Sequence, residues 1–260
     1  MILVLGGTAE SRALTEKLFQ HDFKLIVCTA TAYGSSLLKD YTKASEVITG
    51  RLDEKGLVNL ISAKNVRVLI DATHPFAEIA TANAMNACKQ TGILYLRFVR
   101  PAMTLPDHPL IFPVTGYEQA AVRAVELAGK TIFITTGTKT LQIFADAAYA
   151  AGLRLITRIL PDPAGLRLCI DLGIPPRDIV AMQGPFSVAM NKLLLTEYET
   201  DVLVTKESGI AGGSDTKIQA ALDLSLPVVV IKRPPDPVGT ISDLDELIEK
   251  LYTHERTEGR

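Results

Sequence analysis

MILVLGGTAESR, residues 1–12, runs five apolar residues into a paired glycine, a threonine and then a polar stretch that starts a helix. Ile2 to Leu5 read as a strand, and the glycines as the turn that leaves it. Outward from this stretch, short β-branched runs alternate with helical patterns almost throughout. Strands are expected at MILVL, KLIVCT, SEVIT, VRVLIDA and ILYLRF in the first hundred residues, and at KTIFIT, LRLITR, DIVAM, DVLVTK and PVVVIK beyond them. Helices are expected from Ala9 to Gln20, from Phe76 to Thr91 and, last, near Ile241 to His254. Strand alternating with helix is the mark of parallel βαβ units, so the fold class is α/β.

The segment RPAMTLPDHPLIFPV breaks this rhythm with four prolines in fifteen residues and no helical period. It reads as a linker. A chain of 260 residues lies near the length at which one core divides into two. The expected division is a first domain over residues 1–112 and a second over 113–260, similar in pattern, with no sequence repeat between them.

Composition is that of an ordinary globular chain, 47% hydrophobic and 22% charged without tryptophan, and a net charge of -2 argues against nucleic-acid binding through bulk basicity. Cys28, Cys88 and Cys169 are scattered and without CxxC spacing, which reads as buried free thiols in a reducing compartment. The first strand has no basic flank, and no apolar run approaches the roughly 18 residues of a membrane span. The expected location is cytoplasmic, with no membrane partner and no nucleic acid; oligomeric state is not read from the sequence.

Ligands of open α/β sheets sit beyond the carboxyl ends of the strands, where free N–H groups and the helix dipole favour anions. Gly6 and Gly7 permit a tight turn there, Thr8 adds a hydroxyl, and Arg12 lies one turn into the helix. The dinucleotide pattern G-x-G-x-x-G would need glycine at Thr8 and Ser11 as well as Gly6, so a plain strand-to-helix turn stays open beside a phosphate site. The second strand ends in CTATAYGSS, without the acid that binds a free ribose 2′-hydroxyl, which leans towards a phosphorylated ribose. Thr29, Thr31, Ser35 and Arg51 are candidate donors to it. In DATHPFA, Asp71 ends a strand and Pro75 suits a first helical turn, leaving Thr73 and His74 either as ligand contacts or as a helix cap.

The second half repeats the arrangement with more charge. Thr136, Gly137, Thr138 and Lys139 stand where one strand hands over to a helix, Arg158 ends another, and Gln183, Gly184 and Ser187 follow a third. Lys206, Ser208, Gly212, Gly213 and Lys217 follow a fourth. Each alone is ordinary capping or solvated charge; together on one edge they suit a ligand with several carboxylates or phosphates. The four histidines show no metal-ligand spacing with the cysteines, so no metal is expected. No G-x-S-x-G elbow and no P-loop lysine is present, and a cofactor is expected to carry any reaction.

Taken in order, LGGTAESR, DATHPFA, YLRFVRP, TTGTK, QGPFS and TKESGIAGG resemble the precorrin-6A reductase family, cobalt-precorrin-6A relatives included, from residue 1 to about residue 232. The resemblance implies two Rossmann-like domains with parallel sheets and a ligand cleft between them. It also implies a nicotinamide cofactor on the first domain, NADPH with NADH as the alternative, and a polycarboxylate tetrapyrrole as substrate. The implied reaction, in corrin ring biosynthesis, delivers a hydride to C19 and a proton to C18. Gly6, Gly7, Thr8, Arg12, Thr73, His74 and Pro75 carry over as cofactor contacts. Thr136, Gly137, Thr138, Lys139, Gln183, Ser187, Lys206, Ser208, Gly213 and Lys217 carry over as substrate-side contacts, with Arg158 beside them. Lys206, His74 or a bound water would supply the proton. TATAYGSS and TGRLD look more like the cobalt-using branch. A non-catalytic dinucleotide-binding sensor would explain the glycine turn but leave the second cationic edge idle, and a transferase would need a co-substrate that no motif identifies.

Overall fold

The computed structural model describes residues 1–30, 34–35, 46–209 and 213–258. The chain divides into two compact units, Met1–Pro101 with Pro234–Arg260, and Ala102–Arg233.

In the first unit, β1 (Ile2–Gly6), β2 (Leu25–Thr29), β3 (Glu46–Thr49), β4 (Val68–Asp71) and β5 (Leu94–Arg97) form one sheet in the order β3-β2-β1-β4-β5. Every pairing is parallel, and the register sets Gly6 beside Thr29, Leu5 beside Asp71, and Asp71 beside Arg97. Helices α1 (Ala9–Gln20), α2 (Glu54–Ala63) and α3 (Glu78–Thr91) connect the strands. Alternate residues of β1 enter opposite cores: Val4 joins Leu14, Leu18 and Val27, whereas Leu3 and Leu5 join Ile26, Leu57 and Leu69. Burial on both faces is why the strand reads as an unbroken apolar run. The strand order reverses between β1 and β4, which brings the turns after Gly6 and Asp71 side by side.

The second unit contains β6 (Ile111–Val114), β7 (Thr131–Ile134), β8 (Arg154–Ile159), β9 (Ile179–Ala181), β10 (Val202–Lys206) and β11 (Val228–Ile231), ordered β6-β11-β10-β7-β8-β9 and parallel throughout. Its helices are α4 (Tyr117–Leu127), α5 (Leu141–Ala150), α6 (Pro163–Asp171), α7 (Val188–Glu197) and α8 (Ser214–Asp223). Here the order reverses between β7 and β10.

The expected division at residue 112 differs from the observed one at both ends. The proline-rich segment closes with β6, inside the stretch read as a linker. Pro113 is accommodated because β6 lies at the sheet edge, where a missing N–H donor leaves no ladder bond unmade. The chain also returns to the first unit at its end. Ile241 pairs with Phe98, and helix α9 (Leu244–Glu258) buries Leu247, Ile248 and Leu251 against the core that holds Leu14 and Leu18. Each fully buried leucine contributes about 1.5–3 kcal/mol, so these residues anchor the returning segment.

Candidate functional site

At the end of β1 the backbone turns at Gly7, whose φ of +112° suits glycine, and no atom lies within 4 Å of where a side chain would start. Gly6 has the opposite constraint: a Cβ there would stand 2.9 Å from Ser11 Oγ and 3.0 Å from its Cβ. Thr8 caps α1 by accepting from the Ser11 N–H at 3.0 Å. The buried Ser11 hydroxyl in turn accepts from the N–H groups of Gly7 (3.0 Å) and Thr8 (3.1 Å) and donates to the Thr8 carbonyl (2.8 Å). The N–H groups of Gly7 and Thr8 are therefore engaged within the turn. The first N–H groups of α1, on Ala9 and Glu10, have no acceptor within the helix and are the donors left to an anion. Arg12 is half-buried one turn further on, and the Glu10 carboxylate is paired with Arg100 at 3.4 Å. Open space over Gly7, a helix N-terminus and the Arg12 cation suit a dinucleotide pyrophosphate. Ser11 was not singled out from sequence, although its third position after the Thr8 cap is the pattern of a capping box.

The neighbouring turn follows β4. Thr8 reaches across to it, donating its hydroxyl to the Ala72 carbonyl at 3.3 Å. Asp71 is 0% exposed and forms an ion pair at 2.7 Å with Arg97, itself 3% exposed. Thr73 joins the pair: its N–H and hydroxyl donate to Asp71, and its hydroxyl accepts from Arg97. Thr81 and Tyr95 donate to the other Asp71 oxygen. Burial, followed by the Asp71 charge, pushes the Tyr95 phenol up, which keeps it a donor. Pro75 stands in a turn closed by the Ala77 N–H on the His74 carbonyl (2.8 Å), and α3 begins only at Glu78. The expected helix start at Phe76 is thus two residues early, and neither Thr73 nor His74 caps the helix, whose N-cap is Ala77. His74 Nδ1 accepts from the Phe76 N–H at 3.3 Å, so a neutral ring carries its proton on Nε2.

Beyond β2, the hydroxyls of Thr29, Ser35 and Thr49 form a chain that ties the ends of β2 and β3 together. Arg51 is exposed just past β3. Thr31 lies outside the described residues.

In the second unit the anticipated residues meet at the carboxyl edge around the β7–β10 reversal. Thr136 is buried after β7, Gly137 precedes a single 3-10 turn of Thr138–Thr140, and Lys139 is exposed on that turn. Lys206 ends β10 with its ammonium 5.8 Å from the Tyr117 ring centroid. Arg158, 8% exposed, donates to Asn191 Oδ1 at 2.8 Å and lies over the Phe186 ring. Arg158, Asn191, Thr135 and Lys217 line one narrow crevice. Gln183 is exposed before Phe186, and Ser187 caps α7 by accepting from the Met190 N–H. Gly213 is the N-cap of α8, and Ser208 bonds through backbone and hydroxyl to the fully buried Ser214. Gly212 lies outside the described residues.

The charges of this edge act on one another. Burial and then Lys139 push Lys206 down to about 8. Burial, Arg158 and Lys206, opposed by Asp215, push Lys217 down to about 7. Burial alone pushes Arg158 down to about 10. Neither Arg158 nor Lys217 has a carboxylate within ion-pair distance among the described residues. Desolvated cations held together are costly until an anion arrives, so the edge is a candidate anion site.

Asn191 was not legible as a site residue. Buried at 3% exposure, it also donates to the Phe186 and Ser187 carbonyls and so fixes Arg158 to the Gln183–Ser187 loop. Thr216 donates to the Phe186 carbonyl from α8. The three cysteines are free and buried, with the Cys28 and Cys88 thiols pushed up to about 12 by burial first. Among the described residues, no group of three or more His, Cys, Asp or Glu could hold a metal, and no helix is long and apolar enough to cross a membrane.

Comparison with known proteins places the chain in a family. Residues 1–252 match the family model described as precorrin-6x reductase CbiJ/CobK. The chain is 36% identical over 258 residues to the cobalt-precorrin-6A reductase of Methanothermobacter thermautotrophicus, covering 96% of this chain and 84% of that protein. It is 35% identical to that of Priestia megaterium, over 99% and 100% of the two chains. A solved CobK precorrin-6A reductase superposes with a TM-score of 0.78 at 29% identity, covering 97% of this chain and 96% of that one.

Proposed function

The chain belongs to the precorrin-6x reductase family, and from that premise we propose that it reduces a ring double bond of cobalt-precorrin-6A with NADPH in corrin ring biosynthesis. The carrying observation is the cationic edge of the second unit, where Lys139 lowers Lys206, Arg158 and Lys206 lower Lys217, and neither Arg158 nor Lys217 has a carboxylate within ion-pair distance among the described residues. A tetrapyrrole bearing acetate and propionate arms supplies the missing negative charge. Arg158 and Lys217 engage carboxylates directly, with Lys139, Gln183, Ser187, Ser208, Gly213 and the Thr136–Thr138 turn around them.

The first unit holds the dinucleotide. The N–H groups of Ala9 and Glu10, with Arg12, face its pyrophosphate over the open Gly7 turn. Thr8, Thr73, His74 and Pro75 border the same edge, and Arg51, with Thr29 and Thr31, stands for the ribose 2′-phosphate that distinguishes NADPH from NADH. When bound, the reduced dinucleotide supplies the hydride, directed to C19. Lys206 gives the accompanying proton to C18 from its ammonium, becomes a neutral amine, and is reprotonated from water; its lowered pKa near 8 suits that cycle. His74 is the alternative donor, through Nε2. The cobalt-bearing substrate is favoured because the two relatives with the higher identity, at 36% and 35%, are named for it, whereas the solved CobK, at 29%, is named for precorrin-6A. Three buried free thiols accord with a reducing, cytoplasmic setting.

Nicotinamide fluorescence on titrating the protein with NADPH and NADH tests the first unit, with NADPH expected to bind more tightly and Arg51→Ala to narrow the difference about tenfold. No binding of either dinucleotide sinks the reading. Loss of corrinoid absorbance change in a folded Lys206→Ala, Lys217→Ala double variant tests the second unit. Unaltered turnover there would favour the sensor reading, in which that edge has no task.

A further inference from the structure

We propose that the buried Asp71–Arg97 pair is a positioning device that makes Thr73 a pure hydrogen-bond acceptor, so that it meets an uncharged N–H or O–H of the dinucleotide and none of its phosphates. The inference rests on the reading that the first unit holds that cofactor.

The argument is a count of protons. Asp71 Oδ1 accepts from the Thr73 N–H (3.0 Å) and the Thr73 hydroxyl (2.7 Å), and lies in ion-pair contact with Arg97 Nη1 at 2.7 Å. Oδ2 accepts from Thr81 (2.8 Å) and Tyr95 (3.0 Å). The two protons of Arg97 Nη1 go to the Asp71 carbonyl (3.3 Å) and to Thr73 Oγ1 (3.0 Å). A guanidinium can only donate and an ionised carboxylate can only accept. The single hydroxyl proton of Thr73 must therefore point at Asp71, while one of its lone pairs receives Arg97. One lone pair remains, on a residue that is only half-buried.

A phosphate oxygen has nothing to donate to that lone pair, so the two would repel. The groups of a nicotinamide dinucleotide that can donate without charge are its ribose hydroxyls and its carboxamide. Thr8, on the adjoining turn, shows the same condition independently. Its N–H goes to Ser11, its hydroxyl donates to the Ala72 carbonyl, and the same oxygen accepts from the Ser11 N–H, which leaves one lone pair. The edge at β1 and β4 thus separates anion donors on Ala9 and Glu10 from acceptors on Thr8 and Thr73.

The test measures dissociation constants of NADPH, of its 3-acetylpyridine analogue (which lacks the carboxamide N–H) and of 2′,5′-ADP, with a melting curve for every variant. Thr73→Val is expected to weaken NADPH about tenfold and Thr73→Ser to bind within about twofold of the parent. Unchanged 2′,5′-ADP binding places the donor on the nicotinamide half. Equal binding of NADPH and its acetylpyridine analogue by the parent then selects a ribose hydroxyl over the carboxamide. Asp71→Ala removes the acceptor of the Thr73 proton, so it should weaken NADPH as much as Thr73→Val does, and the double variant should lose no more than either; a merely structural Asp71 gives additive losses. If Asp71→Ala does not fold, the Val and Ser variants decide. A folded Thr73→Val that binds NADPH as the parent does overturns this inference alone, whereas a parent that binds neither NADPH nor NADH overturns the functional reading with it.

Discussion

The guanidinium carbon of Arg158 lies 4.7 Å from the centroid of the Phe186 ring. Stacked on that face and tied by Nη1 to Asn191, the side chain is fixed in direction while part of its donor fork stays available. Lysine cannot keep both contacts. Arg158→Lys is expected to raise KM for the polycarboxylate substrate about tenfold, equivalent to losing one charge-assisted hydrogen bond of about 1.5–3 kcal/mol, with kcat little changed. Steady-state kinetics and calorimetric titration check this; an unaltered KM would reduce Arg158 to a loop anchor.

Lys217 governs a pH dependence with two opposed signs. Its pKa is lowered to about 7 in the folded chain, against about 10.4 when unfolded. Between those values the unfolded chain binds a proton that the folded chain does not, so stability rises with pH across that window and is least below 7. Lys206, lowered to about 8, adds the same sign over a narrower range. Lys217→Met should therefore raise the melting temperature at pH 6 and leave it unchanged near pH 10.5. Affinity for the polycarboxylate runs the other way, weakening from pH 6.5 to pH 8.5 in the parent and less so in the variant. A flat affinity profile would show that Lys217 does not face the ligand.

Two buried serines hold the two candidate edges, one in each unit. Ser11 accepts from Gly7 and Thr8, and Ser214 accepts from Ser208 while donating to the Lys206 carbonyl at 2.8 Å. Each serine-to-alanine change leaves backbone groups without their partner and should cost about 1–3 kcal/mol. The functional consequences should separate: Ser11→Ala weakens dinucleotide binding, and Ser214→Ala weakens polycarboxylate binding. Measuring both ligands against both variants gives a crossed pattern, and losses that do not cross would assign the serines to stability alone.

Gly6 and Gly7 should respond differently to alanine. At Gly6 the new methyl meets Ser11 Oγ at 2.9 Å, a side chain locked by three hydrogen bonds. At Gly7 there is room, but φ of +112° strains any residue with a Cβ. Gly6→Ala paired with Ser11→Gly should recover part of the stability lost by Gly6→Ala, through relief of the contact. The same Ser11→Gly change should not rescue Gly7→Ala. Denaturant melts of the five variants check both statements.

Much of this molecule was legible along the chain. Residues 2–5 announce a strand because burial on both faces demands apolar side chains at successive positions. The glycines, threonines and lysines after Gly6, Ile134 and Lys206 announce candidate ligand turns because each parallel sheet gathers its strand-to-helix turns on its own carboxyl edge. Other features were misplaced. IFPV was read as linker because proline argues against a strand until the strand is known to be an edge. Pro75 was read as a first helical turn because a helix start and a preceding tight turn favour the same residue.

What the sequence by itself determined is therefore local: which segments are strands, which turns carry glycine and charge, and in what order they come. The tertiary structure alone decided which partner each segment and each proton found. Helix α9 carries an apolar stripe that either sheet could have covered, and only packing assigned it to Leu14 and Leu18. Asp71 reads as the last residue of a strand, yet the four donors to its carboxylate come from Thr73, Thr81 and Tyr95, and its ion-pair partner is Arg97 on the neighbouring strand. The physical reason is range: periodicity and turn chemistry act between neighbours in the chain, whereas a hydrogen bond or a desolvated charge is satisfied by whatever the fold brings within about 3 Å.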